Sequence, residues 1–337
     1  FGLLDEALKV DVSPSGVLTV LGEDTIYFLD ANRGSVLSSE SIPPEALGAE
    51  GFSVDGTWMV LGVEGDEREG GGRLLSTAFP DLQLTQPARP SQLPRVEPVV
   101  ETEPVSSAGD AADDPAVWIH PKESAKSLIL GTDKQAGLYV YDLAGDVQQF
   151  LPAGKVNNVD VRYGFELSDG SMMDIAVATN RTHGVLTIWG IDRATGKLAE
   201  LGAGQENLAM NEPYGLCLYH DAELNAFYAI ANSKAGEVEQ YRLISTDSGR
   251  ITTQLVRSFE VGSITEGCVV DDQHHRLFIG EETRGIWVYD ARPDHLASTA
   301  DRSLVDAVAP EGRLTADIEG LALYLDGKDK GYLVASV

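Results

Sequence analysis

The stretch Ala112-Asp113-Asp114-Pro115-Ala116-Val117-Trp118 puts two adjacent carboxylates at the head of an apolar run, and Gly131-Thr132-Asp133-Lys134 puts a lysine at the tail of the next. Similar polar pairs open later runs at Asn157-Asn158, Asn211-Glu212, Thr265-Glu266 and Asp317-Ile318-Glu319. Polar tips close others at Asn180-Arg181, Ser233-Lys234 and Glu281-Glu282. Carboxylates and amides therefore alternate with cations on one recurring scaffold. Hard oxygen donors suit calcium, which accepts irregular carboxylate cages of roughly six to eight ligands. The interleaved Lys and Arg suit a polyanion. Zinc is disfavoured, because His120, His183, His220, His274, His275 and His295 show no ligand spacing and the cysteines sit inside apolar runs. No Ser or Cys lies in a nucleophile-elbow pattern, which favours direct attack by water over a covalent intermediate.

Short strands separated by turns must position these residues. Second strands of a unit read Ser127–Gly131, Asp174–Ala178, Phe227–Ala231, Arg276–Gly280 and Gly331–Ala335, with starts 47, 53, 49 and 55 residues apart. Third strands follow at Gly137–Asp142, Val185–Trp189, Glu237–Tyr241 and Gly285–Asp290. Units of about 50 residues with three or four short strands signal a β-propeller. In such a unit the innermost strand runs toward one face and the next runs back. The start of the first and the end of the second then share one mouth of the central channel. This topology gathers Asp113, Asp114, Asn157, Asn158, Glu212, Glu266, Asp317 and Glu319 beside Lys134, Arg181, Lys234, Glu281 and Glu282. Five units can be counted, the fifth breaking off after two strands. The fold expected is all-β, a six-bladed propeller whose last part is missing from this chain.

Residues 1–95 differ. Thr25–Asp30 and Thr57–Gly62 resemble blade strands but lack the charged tips, while Pro43-Pro44 and Glu64–Gly72 read as a turn and a solvated loop. A boundary carrying Pro87, Pro90, Pro94 and Pro98 follows. Two domains are expected, a partial N-terminal propeller-like β domain over 1–95 and the propeller over 96–337. The alternative makes the first segment extra blades of the same ring.

Composition narrows the function. The 337 residues are ample for a core, and no apolar run is long enough to span a bilayer as a helix. A formal charge of −28 argues against nucleic acid, whose phosphates need basic patches. The N-terminus, Phe1–Glu6, has no basic segment and does not read as an intact signal peptide. Cys217 and Cys268 are expected as buried free thiols, since each lies within an apolar strand.

Taken together, these motifs resemble the β-propeller phytases, the calcium-dependent phytate phosphatases of bacteria. The matching stretches are Asp110–Trp118, Asn157–Tyr163, Thr179-Asn180-Arg181, Asn211–Gly215, Lys234–Tyr241, Thr265-Glu266-Gly267 and Asp317–Leu321, within a likeness running from about Glu101 to Val337. The resemblance implies that Lys134, Arg181, Tyr214 and Lys234 hold the phosphate being cleaved, with Gln135, Asn157 and Asn158 beside the substrate. It implies calcium ligation by Glu101, Asp113, Asp114, Glu212, Glu266, Glu281, Asp317 and Glu319, and by the backbone carbonyls of Pro115 and Val159. Two positions depart from the family pattern: Gln135 stands where a second lysine is usual, and Ala235 where a calcium-ligating glutamate is usual. The function so implied is hydrolysis of phytate, taken as its calcium complex, by a calcium-activated water in a secreted or periplasmic monomer with several calcium ions. No nucleic acid or membrane partner is expected. Other readings are a lactonase-type calcium propeller, which needs no ring of cations, and a non-catalytic propeller used for binding.

Overall fold

The computed structural model describes residues 98–337 except 204–206, 296–300 and 328–329, and, before them, 9–12, 17–21, 25–30, 36–42, 49–54, 58–63, 73–78. The turn at Pro43-Pro44, the loop at 64–72 and the Pro-containing boundary before Pro98 lie outside the described residues. The chain divides into two compact units, Phe1–Glu97 and Pro98–Val337. In the first, β1 (Lys9–Val12), β2 (Val17–Leu21), β3 (Thr25–Asp30) and β4 (Val36–Ser41) form one antiparallel sheet. A three-stranded sheet of β5 (Ala49–Val54), β6 (Trp58–Val63) and β7 (Arg73–Ala78) follows.

The second unit repeats one motif. Its first sheet is β8 (Ala112–Trp118), β9 (Leu128–Asp133), β10 (Gly137–Tyr141) and β11 (Val147–Pro152). The second is β12 (Val156–Glu166), β13 (Met172–Asn180), β14 (Val185–Ile191) and β15 (Leu198–Glu200). The third is β16 (Pro213–Asp221), β17 (Ala226–Ser233), β18 (Glu237–Ser245) and β19 (Ile251–Glu260). The fourth is β20 (Thr265–Asp271), β21 (Arg276–Glu281), β22 (Gly285–Asp290) and β23 (Ser303–Ala307), and β24 (Leu321–Leu325) pairs with β25 (Gly331–Ala335) in a fifth. Every pairing joins sequence neighbours in antiparallel register, so each sheet is a meander.

Burial explains why these segments are strands and why the sheets stack. Middle strands are apolar on both faces: all five residues of β10 and all eight of β17 are buried. Outer strands alternate, as in β11, because one face meets solvent. Core clusters lie between consecutive sheets: Trp118 and Leu130 meet Val161 and Trp189, and Ile175 and Ile188 meet Leu216 and Phe227. Tyr219 and Ile230 meet Val270 and Ile279 in the same way. First strands pack beside one another in the order β8, β12, β16, β20, β24 and line a cavity of about 740 Å³. This is a propeller-like all-β architecture.

The expected free thiols are corrected. Cys217 on β16 and Cys268 on β20 form a disulfide, with Cα atoms 5.6 Å apart. Gly215 and Gly267 let the inner strands approach: a Cβ on Gly215 would stand 1.7 Å from the Glu266 carbonyl oxygen, and one on Gly267 1.8 Å from that of Glu319. The two cysteines lie 51 residues apart, so nothing local in the sequence pairs them. In the loop-closure account such a bridge contributes about 4 kcal/mol by restricting the unfolded chain.

Candidate active site

The site is assembled by one local device used four times. Each of the first four inner strands slips register near its start, between Ala112 and Pro115, Val156 and Val159, Pro213 and Leu216, and Thr265 and Cys268, and the slips hold Asp113-Asp114, Asn157-Asn158, Tyr214-Gly215 and Glu266-Gly267. A bulge frees backbone groups from the ladder and re-aims side chains. The first paired residue of each inner strand stands opposite the last of its neighbour: Ala112 opposite Asp133, Val156 opposite Asn180, Pro213 opposite Ser233 and Thr265 opposite Glu281. Each bulge therefore lies at the same end of the sheet as the charged tip that follows, namely Lys134, Arg181, Lys234 or Glu282.

Lys134 is the most enclosed of the cations. Its Nζ lies 2.8 Å from Asp110 Oδ1 and 3.1 Å from Asp113 Oδ1. Burial opposes its charge, but the hydrogen bonds to Asp110 and Asp113 outweigh that and hold its pKa above the usual lysine value. Asp110 sits on a strap that Gln135 anchors, its Nε2 donating to the carbonyls of Ala108 (3.2 Å) and Asp110 (3.3 Å).

Arg181, Asn157, Glu266 and Tyr214 form a chain across the channel. Arg181 Nη1 donates to Asn157 Oδ1 at 3.2 Å, and Asn157 Nδ2 donates to Glu266 Oε1 at 3.0 Å and to Asn158 Oδ1 at 2.8 Å. Both asparagines are buried. The Tyr214 hydroxyl hydrogen-bonds Glu266, and the Tyr214 ring carries Lys234 Nζ at 4.6 Å and the Arg181 guanidinium carbon at 5.7 Å from its centroid. Burial, then the Glu266 charge, raises the Tyr214 phenol.

The carboxylates are poorly compensated. Burial, aided by Asp160, Asp113 and Glu266, pushes the Asp114 carboxyl up to about 8, although the Val159 N–H donates to its Oδ2 at 2.9 Å. Glu266 is raised to about 7 by burial first, then by Asp113 and Glu319, against the hydrogen bonds from Tyr214 and Asn157. Burial with Asp317 and Glu319 also raises Glu282, and Lys234 pulls it back. Pro115 and Val159 line the axial cavity with Asp114 and Asn158. Farther along the cavity Arg162 bridges Asp160 (2.9 Å), Asp272 (2.9 Å) and the Leu218 carbonyl, tying β12 and β16 to the residue that follows β20.

Other expected ligands stand elsewhere. The backbone of Glu101 abuts Gly145, in the turn between β10 and β11, at the end of the sheet remote from Lys134. Glu281 is buried with both oxygens engaged, by Ser263 Oγ at 2.6 Å and Trp287 Nε1 at 2.7 Å. Its neighbour Glu282 is the one that meets Asp317 and Glu319, because successive residues at a strand end face opposite sides. Glu212 stands exposed ahead of β16 at φ 49°. Sequence reasoning missed Asp110, the Arg162 bridge and the preference for Glu282 over Glu281. The doubled Glu281-Glu282 was the one available signal, and it could not say which residue faced inward.

The donor set is oxygen-rich and net negative, which fits a hard divalent cation and not a soft one. Among the described residues no three carboxylate, thiolate or imidazole groups converge on one point as a ready metal cage. Any ion would draw on one or two carboxylates completed by backbone carbonyls, water or ligand oxygens.

Comparison with known proteins identifies the family of the chain. The Phytase family matches residues 71–337. A 3-phytase of Bacillus subtilis (strain 168) is 44% identical over 240 residues, covering 70% of this chain and 62% of that enzyme's length. The chain thus spans under two thirds of that relative. Among solved structures, BBS1N in complex with ARL6DN, soaked with lead, aligns over 99% of this chain and 77% of that one at 14% identity and a TM-score of 0.41. Its mercury-soaked counterpart covers 99% and 75% at a TM-score of 0.39. Both likenesses are too loose to argue from.

Proposed function

This chain belongs to the phytase family, and we propose that it hydrolyses phytate, myo-inositol hexakisphosphate, to lower inositol phosphates and inorganic phosphate in a calcium-dependent reaction. The observation that carries the proposal is the chain Arg181–Asn157–Glu266–Tyr214, which couples the cationic tips to the undercompensated carboxylates. Asp113, Asp114, Glu266, Glu282, Asp317 and Glu319 would hold calcium, with the carbonyls of Pro115 and Val159. When bound, calcium supplies positive field against the substrate's charge, polarises phosphate oxygens and lowers the pKa of an attacking water.

The protein's own residues position the phosphate. Arg181 offers a planar pair of N–H donors, and Asn157 fixes its orientation. Lys234, resting on Tyr214, and Lys134, resting between two aspartates, add point charges toward the oxyanion that develops as the ester bond breaks. The disulfide between Cys217 and Cys268 supports a secreted or periplasmic location, since such bridges persist in oxidising compartments.

Phosphate release from phytate, with added Ca²⁺ and with excess EGTA, tests the proposal. Turnover should require calcium, and chelation should also lower the melting temperature, because a ligand bound only to the folded state stabilises it. Full turnover and unchanged melting in EGTA would exclude it.

A further inference from the structure

Between the cationic and the carboxylate residues lies a side chain that belongs to neither. Asn232, next to last in β17, is fully buried. Its Oδ1 accepts the Gly215 N–H at 2.9 Å, and its Nδ2 donates to the Glu266 carbonyl at 2.9 Å. One bond holds β16 directly after Tyr214, and the other holds β20 at Glu266 itself. Both contacts fall inside the register slips, where the ladder does not secure the backbone.

We infer that Asn232 is a positioning residue that sets the Tyr214–Glu266 pair, and through it links phosphate holding to calcium holding. This rests on the functional reading above. Space supports it: a Cβ on Gly215 would lie 2.6 Å from Asn232 Oδ1, so the amide fits only over a glycine. Comparison among the sheets supports it too. At the matching position in β9, Thr132 Oγ1 accepts from Asp114 N at 2.9 Å, within its own sheet. In β13, Thr179 Oγ1 donates to the Tyr214 carbonyl at 2.6 Å, in the next sheet. In β21 the position is Gly280, with no side chain to reach anywhere. Each threonine reaches one inner strand. The amide carries acceptor and donor on separate atoms and reaches two at once. It does so at the junction whose two inner strands present Tyr214 and Glu266, hydrogen-bonded to each other. Here the Cys217–Cys268 bridge lies one turn of the pleat farther in, joining the same strands.

A purely structural asparagine and a positioning one differ in what their loss changes. Losing a structural clamp lowers stability and leaves the surviving folded molecules as competent as before. Losing a positioning clamp lets Tyr214 and Glu266 drift apart, and misplacement on the order of 1 Å costs up to roughly hundredfold in rate. The test compares Asn232→Ala and Asn232→Thr with wild type, each normalised to folded protein. Readouts are kcat and KM for phytate across a calcium titration and, without substrate, the calcium-induced rise in melting temperature.

For Asn232→Ala, kcat should fall by roughly tenfold or more with a smaller change in KM. The calcium midpoint should rise, and the calcium-induced gain in melting temperature should shrink. Asn232→Thr should recover part of kcat, because a hydroxyl there can hold the Glu266 carbonyl as Thr179 holds that of Tyr214. If Asn232→Ala does not fold, Asn232→Thr carries the test, with kcat between wild type and the loss expected for alanine. Wild-type kcat, calcium midpoint and calcium response in the variants, whatever their melting temperatures, would overturn the inference. A wild-type protein that releases no phosphate fails the functional reading instead, and the calcium-induced shift in melting temperature then decides the role of Asn232 by itself.

Discussion

Of the two sides of the charge balance at the mouth, the cations have resident partners: Lys134 between Asp110 and Asp113, Arg181 against Asn157, Lys234 over the Tyr214 ring. The carboxylate side is less well served: Asp114 and Glu266 are pushed to about 8 and about 7, and Glu282 is raised beside Asp317 and Glu319 with Lys234 as its counter-charge. The polypeptide settles its positive charges by itself and leaves its negative ones short. A bare site of this kind repels a polyanion. The same site with divalent cations attracts one, because bound ions reverse the local field. The difference between the two sides thus divides the labour, with phosphate orientation built into the chain and charge reversal supplied from outside.

Substitutions on opposite sides offer the strongest way to break that division. Arg181→Ala should lower kcat/KM for phytate by roughly 10²-fold, as loss of a transition-state donor does, with little change in the calcium midpoint. Glu282→Gln should do the reverse, raising the calcium midpoint severalfold while kcat at saturating calcium stays near wild type. Melting temperatures should change little for Arg181→Ala, since its side chain lies at an exposed tip. If both substitutions shift kcat and the calcium midpoint together, the two sides are one unit and the division is false.

A pH series sharpens the carboxylate side alone. Asp114 and Glu266 have folded pKa values above their ordinary values of about 4, so the folded state binds their protons more tightly than the unfolded chain does. Stability of the metal-free protein should therefore fall as pH rises from roughly 4 through 8, since stability rises with pH only where the unfolded state holds more protons. Saturating calcium should remove that slope by compensating the ionised carboxylates. The measurement is melting temperature at pH 5 and pH 8, in EGTA and in calcium. A metal-free protein that melts higher at pH 8 than at pH 5 would show that these carboxylates are already satisfied.

The difference between the two sides also marks what was legible in the sequence. Strands, sheet order and the sharing of one mouth by inner-strand starts and second-strand ends follow from period and spacing, and Asp113, Lys134, Asn157, Arg181, Lys234 and Glu266 fall together as that topology requires, while Tyr214 came only from the resemblance. What the residues could not give was facing and reach. Glu281 and Glu282 are adjacent and identical, yet one is consumed by Ser263 and Trp287 while the other meets Asp317. Cys217 and Cys268 read as separate apolar residues because their pairing depends on how closely two inner strands approach. Asn232 and Arg162 sit within strand patterns where a polar residue gives no hint of the backbone it holds.

The smallest expected effect concerns Gln135. Its side chain donates to the carbonyls of Ala108 and Asp110, so it anchors the strap that lays Asp110 on Lys134. A lysine there would add a second cation beside Lys134 and so strengthen the side already settled by the protein's own charges. It could also donate to one of the same carbonyls and keep the strap in place. Because the site is open and Asp110 largely exposed, screening limits the gain to about 1 kcal/mol. Gln135→Lys should accordingly lower KM for phytate a few-fold and leave kcat and the calcium midpoint unchanged. Steady-state kinetics at fixed, saturating calcium measure this. An unchanged KM would mean that the phosphate next to the cleaved one does not lie over Gln135. A raised KM would mean that the strap matters more than the added charge, so that anchoring Asp110 is the main contribution of this glutamine.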